Sequence, residues 1–290
     1  VAYSNPLNPG KVFMTYKINI LLFWFSDDWG KYGRTYERVA EQLAKLPEVG
    51  HVVCVFPPVS AKRYRIQGPL HIRPDAHGLT LLTETDFNKI RPGRLFTRLR
   101  QRFNQVYRDL ALKAYLRQLG FKPDNTVLWL FPPHPYIEHL LRIVPHRVVI
   151  TQVQDDFTKF DHGHELYPYA HAQYPKLGQW SDMIITTSKA NQERFAKTGK
   201  PCHLFWPAVD ESFLGAPGFL PYRASSEAPR LGYVGFIMDR TDLDLIAFVA
   251  KQRPQWRLLL AGPQYPAGYL DESGLLDLPN IEYLGPVPQE

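Results

Sequence analysis

The sequence predicts an α/β protein, with a complete N-terminal Rossmann-like lobe followed by an incomplete second Rossmann-like lobe. Three observations carry that reading. Apolar runs of strand length alternate with stretches of helical periodicity along most of the chain, which is how parallel sheets built from βαβ units read in sequence. The segment 215–229 is rich in Gly, Pro and Ser and interrupts the alternation, which then resumes. About 60 residues follow it, whereas a domain that covers both faces of such a sheet takes about 100 or more. The expected boundaries are a disordered leader at 1–13, the first lobe at 14–214, a linker at 215–229 and the second lobe at 230–290.

In order, Ile18 to Phe25 is an apolar run broken only at Asn19, the pattern of a strand buried on both faces. It breaks at Ser26-Asp-Asp-Trp-Gly-Lys-Tyr-Gly33, after which Tyr36, Val39, Ala40, Leu43 and Ala44 recur at helical spacing until Pro47. His51 to Phe56 is the next strand, stopped by Pro57-Pro58, and Leu70 to Ile72 a third, followed by a polar stretch. Leu95, Phe96, Leu99, Phe103, Val106, Tyr107, Leu110 and Tyr115 make one long amphipathic helix. Strands at Thr126 to Phe131, Arg147 to Val153, Met183 to Thr186 and His203 to Trp206 complete the lobe, with a short helix from Tyr136 to Leu141 and a Ser188-capped helix to Lys197 between them. Beyond the linker come strand Leu231 to Val234, helix Leu243 to Lys251, and strands Arg257 to Ala261 and Ile281 to Leu284.

The 290 residues hold 34 Lys+Arg against 28 Asp+Glu, a formal +6. Between Arg91 and Gly120 stand Arg91, Arg94, Arg98, Arg100, Arg102, Arg108, Lys113 and Arg117 against the single acid Asp109, so this segment carries +7 and the rest nets −1. A nucleic-acid binder with cations spread over a whole face is excluded by that distribution. At 44% apolar and 21% charged the chain is globular rather than disordered. Its longest apolar run, Ile20 to Phe25, is far short of the roughly 18 residues that span a bilayer, which leads to a cytoplasmic expectation. Cys54 and Cys202 lack metal or redox spacing and read as small apolar residues of a reducing compartment.

In open α/β sheets ligands collect at the carboxyl ends of the strands, so candidate residues are sought there. Asp28, Gly30 and Gly33 follow the first strand, where glycines permit close backbone approach and an acid can accept from sugar hydroxyls; an ordinary strand-to-helix turn with a capping Asp is the alternative. Asp155 and Asp156 follow the strand ending at Val153; a carboxylate there can bind a sugar hydroxyl or stabilise positive charge developing at an anomeric carbon, and helix capping is the alternative. Neighbouring residues alternate in direction, so one of the two is expected to face a cleft. His134, in a stiff Pro-Pro-His-Pro turn, is a candidate acid or base or a structural residue. His162 and His164, with Asp161 and Glu165, have the residue types for a divalent metal or for a polar lid. Gly235 and Gly262 each end a strand of the second lobe, and with Arg240 suit a diphosphate. The basic helix reads either as a surface for an anionic membrane, across 91–120, or as a solvated charged face packed on its own domain.

The order of these pieces resembles the retaining GT-B glycosyltransferases of the family-4 type. The likeness runs from about Ile18 onward. It is carried by Trp180-Ser-Asp-Met-Ile-Ile-Thr-Thr-Ser188, by Leu204-Phe-Trp-Pro-Ala-Val-Asp210-Glu-Ser-Phe213, and by Gly232-Tyr-Val-Gly235, Arg257-Leu-Leu-Leu-Ala-Gly262-Pro263 and Asn280-Ile-Glu-Tyr-Leu-Gly285. The turn Ser26-Asp-Asp-Trp-Gly30 resembles the family's N-lobe loop facing donor and acceptor. Pro207-Ala208 stands where the family has Asn-Gly, Phe236 where it has Arg, and the family's acidic E-x7-E region would fall after Glu290.

The resemblance implies a cleft between two lobes, a nucleotide-sugar donor held by the second and an acceptor by the first, and transfer with retention, without a metal or other cofactor. It also implies a longer native product, by roughly 100 residues. The expected function is transfer of a sugar to a glycan or lipid-linked acceptor, as in polysaccharide biosynthesis. Catalysis would fall to Asp155 and Asp156, the N-lobe pocket to Asp28, Gly30, Gly33 and His134, and the donor diphosphate to Gly235, Arg240 and Gly262. The basic helix, with the cytoplasmic expectation above, adds peripheral contact at the inner face of the cell membrane to the expected location. Two alternatives stand beside the expected function: a non-catalytic scaffold or binding module of a glycan-assembly complex, and a metal-dependent hydrolase using His162 and His164.

Overall fold

A computed structural model describes residues 17–31, 33–60, 68–75, 78–86, 94–160, 162–208 and 228–287. The expected leader and residues 215–227 of the expected linker lie outside them. The chain divides into two compact units, the first ending at Ala208 and the second beginning at Val209.

The first unit is one eight-stranded sheet. Its strands are β1 (Ile18–Phe23), β2 (Val49–Ser60), β3 (Leu70–Pro74), β4 (Leu79–Asp86), β5 (Thr126–Leu130), β6 (Val148–Val153), β7 (Met183–Thr186) and β8 (Cys202–Leu204), in the order β3-β4-β2-β1-β5-β6-β7-β8. All neighbours are parallel except β3, which pairs antiparallel with β4 at the edge. The helices are α1 (Thr35–Ala44), α2 (Arg94–Gln118), α3 (Tyr136–Ile143), the short α4 (Tyr167–Gln173) and α5 (Leu177–Trp180), and α6 (Lys189–Ala196). The core lies on both sides of the sheet: Leu21, Phe23, Val53, Leu128 and Ile137 gather on one, Leu22, Trp24, Tyr36, Cys54 and Phe56 on the other. Cys54 and Cys202 are free thiols.

Two elements depart from the sequence reading. Strand β2 runs past Pro57-Pro58 to Ser60; the prolines, which have no N–H to give, coincide with a register shift between Phe56 and Val59 and pairing with β4 resumes after it. The polar stretch after Ile72 contains β4, a strand buried almost throughout. Its polar side chains are paired inside: the Thr83 hydroxyl donates to Asp27, and Glu84, fully buried, faces the Arg108 guanidinium at 3.2 Å.

That pairing turns the stretch of α2 from Leu99 to Leu110 around, whereas Leu112 and Leu116 further along the helix pack in the core. Asn104, Arg108 and Asp109 point inward to Asp86, Glu84 and His139, with the Asp109–His139 contact at 2.8 Å, while Leu99, Phe103, Val106, Tyr107 and Leu110 are exposed. The reading of α2 as a solvated charged face with its apolar side on the domain is thus corrected for this stretch.

The second unit has three parallel strands, β9 (Arg230–Val234), β10 (Arg257–Ala261) and β11 (Ile281–Gly285), in the order β11-β10-β9, with α7 (Leu243–Gln252) and the short α8 (Tyr269–Glu272). Ile237, Ala250, Leu258, Leu260, Leu270 and Ile281 form its core.

Burial, the largest influence, pushes the Glu84 carboxyl above the usual carboxylate range, offset in part by the Tyr136 hydroxyl and Arg108. A buried acid with a raised folded-state pKa favours the fold while protonated and loses that contribution as pH rises. Arg108→Ala strips the charge partner from the ionised form. We expect it to lower stability by about 3 kcal/mol at neutral pH and by clearly less at mildly acidic pH, as read by denaturant unfolding at both.

Candidate functional site

The site grows from the point where the strand order reverses. The first strand, β1, has β2 on one side and β5 on the other, so the loops leaving β1 and β5 diverge above their carboxyl ends and leave a crevice.

The turn after β1 is held by its own acids. Asp28, 7% exposed, accepts from Trp24 Nε1 at 3.2 Å and Tyr36 Oη at 3.0 Å on one oxygen, and from Arg34 Nε at 3.0 Å on the other. The Trp24 and Tyr36 rings stack at 4.5 Å over it. Asp27 meets Arg73 Nη2 at 2.7 Å. Asp28 therefore does not serve as the open acceptor expected of it, because its oxygens are already used to fasten β1 to α1. Gly30 and Gly33 adopt positive φ, 73° and 56°, which the reversal requires.

At the end of β6 the two acids separate. Asp156 turns to Arg194 Nη1 at 2.8 Å and accepts from the Thr158 backbone N–H at 3.2 Å. Burial works against its ionisation, but Thr158 and Arg194 outweigh it and hold the carboxyl below its usual range. Asp155 is exposed and its carboxylate has no partner among the described residues, while its carbonyl accepts from Tyr174 Oη at 2.8 Å. Of the pair expected to be catalytic, Asp155 is left for a ligand and Asp156 is committed to the scaffold. Beside it, Gln154 has a carbonyl fixed by Thr187 Oγ1 at 2.8 Å and a buried Nε2 with no acceptor among the described residues. In the sequence, the signal for Gln154 is an amide in a run of polar residues leaving a buried strand.

A cavity of about 260 Å³ joins these parts. Gly33, Arg34 and Thr35 border it, as do Gln152, Gln154 and Asp155, with Trp24, Phe25, Phe131 and Phe157 as aromatic wall. The helix entering from this border, α1, begins at Arg34 without a side-chain cap; the Glu37 N–H already reaches the Arg34 carbonyl at 3.0 Å, so the Thr35 and Tyr36 N–H groups are the ones without a partner inside the helix. Gln152 is spoken for by Trp129 Nε1 at 3.0 Å. Gly30 is not among the lining residues, and neither is His134. Gln173 brackets the His134 backbone from both sides, at 3.0 and 2.9 Å, and His134 Nδ1 accepts from the Tyr136 N–H at 3.1 Å. Burial pulls its imidazole down to about 4, so it is neutral at pH 7. His134 is a structural residue of the turn.

In the second unit Gly235 and Gly262 meet each other. A Cβ on Gly262 would sit 1.9 Å from the Gly235 carbonyl oxygen, and Gly235 N–H donates to Ala261 O at 2.9 Å. Close approach of the two strand ends accounts for Gly262, where an added Cβ has no room, whereas one on Gly235 meets only the Tyr233 side chain, at 3.6 Å. Arg240 lies instead in a separate depression of about 640 Å³ that also holds Asp239, Asp242, Asp244 and Glu272. Asp242 already caps α7, accepting from Leu245 N–H at 2.8 Å. Four carboxylates around Arg240 make that depression poor ground for a diphosphate.

Among the described residues no group of three or more His, Cys, Asp or Glu side chains is placed to hold a metal ion. His162 packs on Tyr167 at 4.5 Å and His164 on Phe160 at 5.1 Å, so the two rings sit on different aromatic neighbours; Asp161 lies outside the described residues.

No protein-family model and no curated protein matches the chain. Solved structures do. The E. coli trehalose-6-phosphate structure bound with UDP-2-fluoro glucose aligns with a TM-score of 0.56 at 11% identity, covering 94% of this chain and 74% of that one. Anabaena HepE in complex with UDP and glucose aligns at 0.54 and 12%, covering 93% and 70%. The α,α-trehalose 6-phosphate synthase of Burkholderia multivorans aligns at 0.54 and 13%, covering 94% and 74%. At such identities the likeness is one of fold, and the fold is GT-B.

Two stability measurements check the site's construction. Asp28→Asn leaves buried donors short of a charge and is expected to cost about 2 kcal/mol in denaturant unfolding. Gly262→Ala forces the two strand ends of the second unit apart, and its melting should fall well below that of Gly232→Ala, where a Cβ meets nothing within 4 Å.

Proposed function

We propose that this GT-B chain is a glycosyltransferase, moving a sugar from a nucleotide-sugar donor to a glycan or lipid-linked acceptor with retention of configuration. The observation that carries the proposal is the cavity at the strand-order reversal, with the unpartnered Asp155 carboxylate beside the unpartnered Gln154 amide. A pocket with aromatic wall, an exposed carboxylate and an unpartnered amide donor suits a sugar, whose hydroxyls both give and accept and whose C–H faces pack on rings. The solved structures of like fold with UDP and glucose, or UDP-2-fluoro glucose, support the same class of ligand.

In this reading the sugar's hydroxyls donate to Asp155 and accept from Gln154. Positive charge gathers on the anomeric carbon as the bond to the leaving diphosphate lengthens, and a carboxylate close to it lowers the barrier electrostatically. First-turn N–H groups of α1 and the Arg34 guanidinium are suited to the charge that builds on the leaving group. Asp156 acts at one remove: its bond to Arg194 holds the turn that presents Asp155.

The alternative of a non-catalytic glycan-binding module is favoured by one observation, the four carboxylates around Arg240 where the diphosphate was expected. Calorimetric titration with nucleotide sugars separates the two, since a module of that kind takes up no heat with any of them.

Asp155→Ala should reduce sugar transfer by two orders of magnitude or more while leaving the melting temperature unchanged, because the carboxylate holds nothing else in place. Asp156→Ala should do the reverse, lowering the melting temperature with a smaller effect on turnover. Transfer by Asp155→Ala at the wild-type rate would overturn the assignment.

A further inference from the structure

We propose that the outward face of α2 docks on an anionic lipid bilayer. Five apolar side chains at helical spacing face outward there: Leu99 is 55% exposed, Phe103 67%, Val106 55%, Tyr107 55% and Leu110 61%. Isolated exposed apolar residues need no explanation, but a continuous stripe of large ones along about 16 Å of helix does. From Leu99 to Leu110 the helix is inverted with respect to an ordinary surface helix, while its C-terminal part seats Leu112 and Leu116 in the core. Over the inverted stretch the polar side is consumed inside, where Arg108 meets Glu84 at 3.2 Å and Asp109 meets His139 at 2.8 Å, and the apolar side is left out.

Charge selects the occupant. Asp109 is the one acid between Arg94 and Gln118, and it is turned inward. By the 3.6-residue period, Arg102, Lys113 and Arg117 fall on the stripe's side of the helix. The outward face of the described part thus offers apolar side chains flanked by cations and no anion. A second copy of this chain would set cations against cations. A bilayer with acidic headgroups offers what the face lacks, negative charge at the surface and an apolar layer beneath it. No helix of the described residues is long and apolar enough to cross a membrane, so the contact is one of a helix lying flat.

The test is co-sedimentation of the whole chain with phosphatidylcholine vesicles, with and without phosphatidylglycerol. Wild type should pellet with the anionic vesicles at low salt, release at high salt, and ignore pure phosphatidylcholine. Replacing Arg102, Lys113 and Arg117 together by Ala should weaken binding by roughly fivefold per cation. The double variant Phe103→Asp, Leu110→Asp should abolish it, and since these side chains are exposed, both variants should melt with wild type. Absence of wild-type binding to anionic vesicles at low salt would overturn the proposal, as would binding that both variants leave unchanged. Self-association of the chain that Phe103→Asp, Leu110→Asp removes, without vesicle binding, would show instead that a second copy covers the face. The assay needs neither donor nor turnover, so its failure leaves the sugar-transfer reading standing.

Discussion

One buried carboxylate sets the geometry on which the rest of the first unit's site depends. Asp28 collects an indole, a phenol and a guanidinium, and in doing so ties Trp24, the first residue after β1, to the start of α1. A charge buried this deeply is tolerable only with such partners, so the turn has one arrangement that satisfies it. That arrangement sets Gly33, Arg34 and Thr35 on the rim of the cavity and leaves α1 to begin without a side-chain cap. Asp27, bound to Arg73 and Thr83, extends the same fastening to the edge strands.

Around this frame polar groups fall into two kinds. Asp28, Asp156, Gln152 and His134 are each consumed by named neighbours and make the walls rigid. Asp155 and the Gln154 amide have no such neighbours among the described residues and meet at the cavity. A site of few open groups on a tightly bonded frame is what electrostatic catalysis requires, since groups already fixed need no reorganisation when charge develops. The second unit shows the contrast: Gly262 is explained by backbone contact with Gly235, and Arg240 sits in acidic company.

The strands β1, β5 and β6 were legible in the sequence because each is mostly apolar and of strand length, and the alternation that fixes the fold follows from them. The β4 strand was not. Its Thr83 and Glu84 look like loop residues until Asp27 and Arg108, far away in the chain, are seen to pair with them. The same long-range pairs decide which side of α2 faces in, something helical periodicity alone leaves open. The site was legible in outline: the ends of the first and sixth strands were the right places, and one of two adjacent acids does face the cavity. Which acids stay open was not, because Asp28 and Asp155 differ only in what surrounds them. His134 illustrates the limit from the other side, a histidine in a stiff turn whose ring nitrogen and backbone are both used by the turn itself.

The central claim is that the strand-order reversal of the first unit, and no other place among the described residues, receives the sugar. Hydrogen–deuterium exchange with and without a panel of nucleotide sugars tests it most directly. The account predicts slowed exchange in peptides covering Gly33 to Tyr36 and Gln152 to Asp156. Protection confined to the stretch from Met238 to Asp244, with none at the reversal, would contradict it.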